Sequence, residues 1–119
     1  MPDAYDPQNV FARILRDEIP STRVYKDDEF IAFRDIAPLA STHILLIPRH
    51  EGVTGPGGLD PEDADWMGRM TVVATRIARD LGLERTGYRL VMNHGDDAGQ
   101  SVPHLHLHII GGAPLGPMA

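Results

Sequence analysis

Gly99-Gln100-Ser101-Val102-Pro103-His104-Leu105-His106-Leu107-His108-Ile109-Ile110-Gly111-Gly112 places three histidines at strict two-residue spacing, with apolar residues in the gaps. Side chains alternate faces along a β-strand. The spacing therefore predicts a strand with His104, His106 and His108 on one face and Leu105, Leu107 and Ile109 on the other. A helix would scatter the same residues around its axis. Same-face neighbours on a strand are about 6.5 to 7 Å apart, too far for the rings to stack but close enough for all three to border one small anion. Imidazole changes charge near neutral pH, so three together point to chemistry rather than packing.

Three readings of this strand compete. The first is a polar face turned to solvent. The second is a zinc site in which His-x-His supplies two ligands and a third comes from elsewhere. The chain has no cysteine, and no short acidic motif adjoins the triplet. Asp96 and Asp97 sit in a turn segment, where they read as turn formers. The third is nucleophilic catalysis on phosphorus, in which neutral imidazole attacks and water then cleaves the phosphorylated histidine. His106, with a histidine two residues away on each side, is the natural nucleophile, and His104 and His108 are expected as flanking donors. Ser101 and the backbone N–H groups of the Gly99-Gln100-Ser101 turn can add further donors, because turn amides form anion-binding concavities.

Working outward, Asn9 is an N-cap candidate for a short helix carrying Val10, Phe11, Ile14 and Leu15, which Pro20 is expected to end. Arg23–Tyr25 and Phe30–Phe33 read as two strands joined by a turn at Lys26-Asp27-Asp28. His43–Pro48 reads as a largely buried strand. The glycines between residues 52 and 60 predict a mobile surface loop. Asp60 and Pro61 then open a helix whose apolar positions Met67, Met70, Ala74, Ile77, Ala78 and Leu81 recur at helical spacing, with Gly82 as its C-cap. Tyr88–Met92 is a further strand, followed by a turn over residues 94–99 and the histidine strand. This order predicts an α+β fold, an antiparallel five-stranded sheet with two helices against one side.

The chain has 119 residues, which suits one domain with one core. It has no apolar run long enough for a membrane span, and its acidic start lacks the features of a secretory signal. With no cysteine, there is no disulfide framework or thiolate site. A cytoplasmic protein is expected. The net charge of −6 disfavours a sequence-independent nucleic-acid binder, but a local cluster of donors can still hold a small phosphorylated ligand.

His104-Leu105-His106-Leu107-His108-Ile109-Ile110 resembles the His-φ-His-φ-His-φ-φ signature (φ apolar) of the histidine triad (HIT) superfamily of nucleotide hydrolases and transferases. The resemblance continues through Val10–Leu15 with Glu18-Ile19-Pro20, Phe33–Pro38, Thr42–Pro48 and Gly87–Asn93. It therefore runs from about Val10 to Gly112, as one HIT domain over 1–119 with short tails. The Gln-Ser lead-in and Gly111-Gly112 resemble the Hint branch, the purine nucleoside phosphoramidases.

The resemblance implies that His106 attacks the α-phosphorus of a nucleotide to give a covalent nucleotidyl-histidine, with His104, His108 and His43 around the phosphate. It places Asn93, Gly99, Gln100 and Ser101 near the phosphate or the departing group, with Ser101 as a possible relay. Asp35 would bind the ribose hydroxyls, with Ile36 beside it, and Phe11, Ile14, Phe33 and Leu45 would wall the base. Without it, the apolar four would read as ordinary core, Asp35 as a turn residue and His43 as structural. It further implies hydrolysis of nucleoside 5′-phosphoramidates, purine ligands such as derivatives of AMP or GMP, no metal or other cofactor, and a homodimer with a sheet continuous across it. The alternatives are a dinucleoside polyphosphate hydrolase and a nucleotide-binding regulatory module. The chain departs from the branch in four places: a C-terminal tail without an aromatic residue, His94, His50, and the loop around Gly55-Pro56-Gly57-Gly58.

Overall fold

In the computed structural model, which describes residues 4–118, five antiparallel strands form one sheet in the order β1-β2-β3-β5-β4. They are β1 (Arg23–Lys26), β2 (Phe30–Arg34), β3 (Thr42–Pro48), β4 (Tyr88–Val91) and β5 (Leu107–Gly111), with helices α1 (Val10–Leu15) and α2 (Ala64–Asp80). Placing β5 between β3 and β4 sets the histidine segment against the most buried strand. Leu45 pairs with His108 on one side and with Phe33 on the other.

The two helices take opposite faces of the sheet, not the single side expected. The reason lies in β2 and β3. Phe30 through Phe33 and Ile44 through Ile47 are all buried, so neither strand has a polar face and both faces need cover. One parity, Phe30, Ala32, Ile44 and Leu46, packs with Leu105, Leu107 and Ile109 against Met70, Val73, Ala74, Ile77 and Ala78 of α2. The other, Ile31, Phe33, Leu45 and Ile47, packs against Phe11 and Ile14 of α1. His43 and His108 belong to the α1 face by register. At six residues, α1 leaves part of that face uncovered.

The expected alternation holds, but the strand does not include all three histidines. β5 begins at Leu107, and His104 and His106 lie in the segment leading into it. The ladder stops because β3 ends at Pro48, which has no N–H to donate. The Leu105 N–H turns instead to the Val53 carbonyl at 2.9 Å.

Other boundaries follow local chemistry. Asn9 caps α1, its side chain accepting from the Ala12 N–H at 2.9 Å. The helix ends at Leu15, well before Pro20, because Asp17 takes a left-handed turn (φ 60°) that Arg23 holds through Asp17 Oδ1 at 2.8 Å. In the β1–β2 turn, Asp27 Oδ1 accepts from the N–H groups of Glu29 and Phe30, each at 2.7 Å. Asp60 and Pro61 open a 3₁₀ turn that runs into α2, and Asp63 accepts from the Asp60 N–H at 2.8 Å. After α2, Gly82 and Leu83 donate to the carbonyls of Arg79 and Ala78.

The glycine-rich loop has more structure than its composition predicts. Pro56–Gly58 form a 3₁₀ turn seated on His94, whose Nδ1 accepts from the Gly57 N–H at 3.1 Å. A Cβ at Gly57 would lie 2.5 Å from the His94 ring, so only glycine allows this approach. Two departures from the branch, His94 and the loop, are thus partners of each other. Among the described residues no helix is long and apolar enough to cross a membrane.

The cap on so short a helix is consequential, because propensity alone cannot hold six residues helical. Asn9→Ala is expected to cost about 1 kcal/mol of unfolding free energy in urea titration. An unchanged midpoint would show that packing of Phe11 and Ile14 holds α1 without its cap.

Candidate active site

The site assembles on the α1 face, where β3 and β5 lie side by side. Four elements contribute: His43 from β3, Asp35 just beyond β2, His108 from β5, and His106 from the segment before β5. The His106 and His108 rings are 5.1 Å apart, centroid to centroid, and so are those of His43 and His108. Phe11 packs edge-on against His106 at 4.9 Å and against Phe33 at 5.6 Å, so α1 forms the lid of the cluster.

The hydrogen bonds fix where each proton sits. His106 Nδ1 lies 2.6 Å from the His104 carbonyl, which can only accept, so Nδ1 carries the proton and Nε2 keeps a free lone pair. The Leu39 N–H donates to His43 Nδ1 at 3.1 Å, which places the His43 proton on Nε2. That proton is donated to His108 Nδ1 at 2.8 Å, which leaves His108 with its proton on Nε2. Two adjacent histidines therefore have opposite character. His106 presents a lone pair, and His108 presents an N–H.

His104 contributes differently from the flanking donor expected of it. It is 1% exposed, its Nε2 faces the Pro48 carbonyl at 3.2 Å, and its Nδ1 accepts from the Tyr5 hydroxyl at 2.7 Å. Both ring nitrogens are used within the protein. What His104 offers the site is its backbone carbonyl, the acceptor for His106.

Burial keeps the cluster neutral. Desolvation pushes His104 and His108 down to about 4, with the neighbouring histidine charges adding to the effect at His108. Desolvation also lowers His106 and His43, while the Asp35 carboxylate opposes the shift at both. A neutral His106 is the form with a usable lone pair.

Asp35 Oδ1 accepts from the Ala37 N–H at 2.9 Å, and its Oδ2 lies 3.5 Å from His43 Nε2. One ligand atom each from Asp35, His43 and His108 falls within 4.8 Å of the others, a number of donors that zinc could use. The facing nitrogens of His43 and His108 are already joined through one proton, however, so a cation would have to break that link. The set reads as a hydrogen-bonded relay.

Beside the histidines is a cleft of about 340 Å³ whose lining includes Phe11, Ile14, Phe33, Leu45, Asp35, Ile36 and Ser101. That volume is at the small end of sites for organic ligands. Its floor of buried Phe11, Ile14, Phe33 and Leu45 is also the α1-side core, so these residues serve as core and pocket wall at once. Ile36 is 98% exposed at the rim, an apolar side chain left in water. Ser101 is exposed at the same rim.

The turn before the histidines is arranged by Gln100. This residue was expected near the phosphate, but its side chain is 8% exposed and fully engaged. Oε1 accepts from the Gly95 N–H at 2.9 Å, and Nε2 donates to the carbonyls of Thr54 and Val102 at 2.6 and 3.1 Å. Gln100 clamps the glycine-rich loop to the turn. Gly99 occupies a left-handed conformation (φ 79°) that lets the chain reverse there. Asn93 lies half-buried two residues past Val91, the partner of His108.

Residues 16–115 match the HIT domain. The chain belongs to the HIT family. This HIT protein is 47% identical over 111 residues to a purine nucleoside phosphoramidase of Escherichia coli strain K12, covering 93% of this chain and 92% of the relative. It is 44% identical over 111 residues to a 14 kDa zinc-binding protein of Zea mays, covering 92% of this chain and 86% of the relative. Among solved structures it superposes on a HIT family hydrolase from Clostridium thermocellum with a TM-score of 0.87 at 39% identity, covering 92% of this chain and 95% of that one. A histidine triad protein from Clostridium difficile gives the same TM-score of 0.87 at 38% identity, with 92% and 95% coverage.

Sequence reasoning did not identify Tyr5, Leu39 or Pro48. Leu39 and Pro48 act through backbone atoms, which leave no side-chain signal. Tyr5 is 99 residues from its partner His104, beyond any local pattern.

A depressed folded-state pKa means that the unfolded chain binds more protons between about pH 4 and the ordinary value of 6.5. Stability therefore falls as pH drops through that window and is level above it. From pH 6.5 to 5, His104 alone should remove about 1 to 2 kcal/mol of unfolding free energy. Urea titrations at intermediate pH values check this, and flat stability over the interval would mean that the histidines are not held neutral.

Proposed function

We propose that this protein hydrolyses nucleoside 5′-phosphoramidates through a covalent intermediate on His106. One observation carries the reading: the 2.6 Å hydrogen bond that keeps the His106 proton on Nδ1 and leaves Nε2 free to attack. In the first step the Nε2 lone pair forms a bond to the α-phosphorus. The P–N bond to the amine breaks, and the amine leaves carrying an added proton. In this reading Ser101, at the rim of the cleft, relays that proton from solvent and takes one back from the attacking water in the second step. The imidazole gains positive charge as it attacks, and the short bond from Nδ1–H to the His104 carbonyl strengthens with that charge. The His108 Nε2–H and the Ser101 amide stabilise charge on the non-bridging oxygens, the Gly99 and Gln100 amides being already given to the Asp96 and Gly95 carbonyls. Water then attacks phosphorus, the bond to His106 breaks, and the nucleoside monophosphate departs.

The cleft supports the choice of substrate. Its apolar floor suits a flat base, and the Asp35 carboxylate can accept from the two vicinal hydroxyls of a ribose. The purine nucleoside phosphoramidase of Escherichia coli, at 47% identity, supports the P–N bond as the one cleaved and a purine as the base. No step in this scheme requires a metal, because imidazoles and amides supply the charge stabilisation. The dimer expected of the family would use β4, whose second edge pairs with no strand among the described residues, and the exposed side of α2, where Val72 stands 59% accessible.

Adenosine 5′-phosphoramidate, a diadenosine polyphosphate and an excess of chelator form the test panel. The phosphoramidate should be turned over faster, at a rate the chelator does not change. Acid quenching should trap a nucleotidyl adduct that mass spectrometry places on His106. His106→Ala should lower kcat by at least about a thousandfold and abolish the adduct. An adduct on another residue, or activity surviving the substitution, would end the assignment of His106 as nucleophile.

A further inference from the structure

We propose that Tyr5, in the segment preceding the matched HIT domain, is a positioning residue for the nucleophile, acting through its hydroxyl on the His104 ring. The inference rests on the reading of His106 as nucleophile. The path has three links. The Tyr5 hydroxyl donates to His104 Nδ1 at 2.7 Å, and the opposite nitrogen of the same ring donates to the Pro48 carbonyl at 3.2 Å. Held at both nitrogens, the ring cannot rotate, and the backbone it sits on is fixed with it. The carbonyl of that residue is the acceptor at 2.6 Å that determines which nitrogen of His106 is free.

The N-terminal segment is built to deliver this hydroxyl. The Asn9 amide N–H and side-chain Nδ2 both donate to the Asp6 carbonyl, at 3.1 and 2.8 Å, and Arg16 Nη2 holds the Pro7 carbonyl at 2.7 Å. Asn9 is also the cap of α1, so the segment and the helix carrying Phe11 are tied at one residue. Phe11 meets the His104 ring edge-on at 6.3 Å and Tyr5 meets it at 5.6 Å, which closes the ring in. The charged and titratable neighbours are Glu51 and Arg16 on the Tyr5 side, and His106 and His50 on the His104 side. Burial raises the phenol further above its ordinary value, so at working pH it remains a donor.

The position has a chemical logic. Buried acceptors left without a donor are costly, and His104 Nδ1 is sealed from water by the ring that donates to it. Removing only the hydroxyl would free the His104 ring at one end while leaving the packing in place. The consequence would appear at His106, two residues along the chain, and not in the cleft that holds the ligand. Residues 16–115 match the family, so Tyr5 reaches this ring from outside the matched segment.

Tyr5→Phe in the full-length protein tests this. It should lower kcat on adenosine 5′-phosphoramidate by about threefold to tenfold with KM changed less than about twofold, the pattern of a lost alignment and not of lost binding. Independently of activity, nitrogen-15 NMR should show the His104 Nδ1 resonance moving toward that of an unbonded imidazole nitrogen. The His106 Nδ1–H proton should move upfield as its hydrogen bond lengthens. Tyr5→Leu should lose no more activity than Tyr5→Phe within about twofold, because the hydroxyl is the working group. An unchanged kcat, a fall in kcat without the two NMR shifts, or a much larger loss in Tyr5→Leu would each overturn the role. If His106 is not the nucleophile, the trapped adduct and the His106→Ala result fail on the unsubstituted Tyr5 background, whereas the two NMR shifts in Tyr5→Phe still appear, so the two readings fail separately.

Discussion

The His106 Nδ1–H bond to the carbonyl of His104 is the interaction from which the chemistry of this site follows. A neutral imidazole offers a lone pair on one nitrogen and a proton on the other, and nothing in the side chain itself chooses between them. Here the backbone chooses. A carbonyl can only accept, so the proton is drawn to Nδ1 and the lone pair is left on the nitrogen facing outward. The same logic run through Leu39, His43 and His108 produces the opposite outcome two residues away, where Nε2 is a donor. A ring nitrogen with a free lone pair and one that donates a proton are thereby made from the same residue type, two residues apart, by hydrogen bonds within the protein.

That arrangement requires burial, and burial comes from the two-sided sheet. β2 and β3 are apolar on both faces, α2 covers one face, and the short α1 covers only part of the other. The uncovered part is the cleft. Phe11, Ile14, Phe33 and Leu45 therefore serve as core on their inner side and as pocket floor on the outer side. Desolvation of the histidines at this boundary lowers their affinity for protons and favours the neutral form of His106. Fold and reactivity depend on the same partial cover.

Much of this was legible in the sequence, because periodicity reports directly on faces. The alternation from His104 to Ile109, the apolar spacing of α2, and the Asn9 and Gly82 caps all act through side-chain chemistry written locally. The division of the helices between two faces was also encoded, in the unbroken apolar runs of β2 and β3, but those runs do not say which helix lies where. Interactions made by backbone atoms were illegible. Pro48 ends the ladder and accepts from His104, and no pattern of residue types marks a carbonyl as an acceptor. Gln100 shows a second limit: the resemblance set it near the phosphate, and its side-chain amide is engaged by Gly95, Thr54 and Val102, partners that no local pattern marks. Contacts spanning the chain, such as Tyr5 with His104 and His94 with the 55–58 loop, emerge only when the sheet brings their ends together.

Assigning the proton positions is the most direct test. Long-range proton–nitrogen-15 correlation spectra of the histidine rings, recorded on the unliganded protein near neutral pH, distinguish the two tautomers residue by residue. The account predicts a protonated Nδ1 with a bare Nε2 at His106, and a protonated Nε2 at both His43 and His108. A protonated Nε2 at His106, or a doubly protonated ring there at neutral pH, would contradict it.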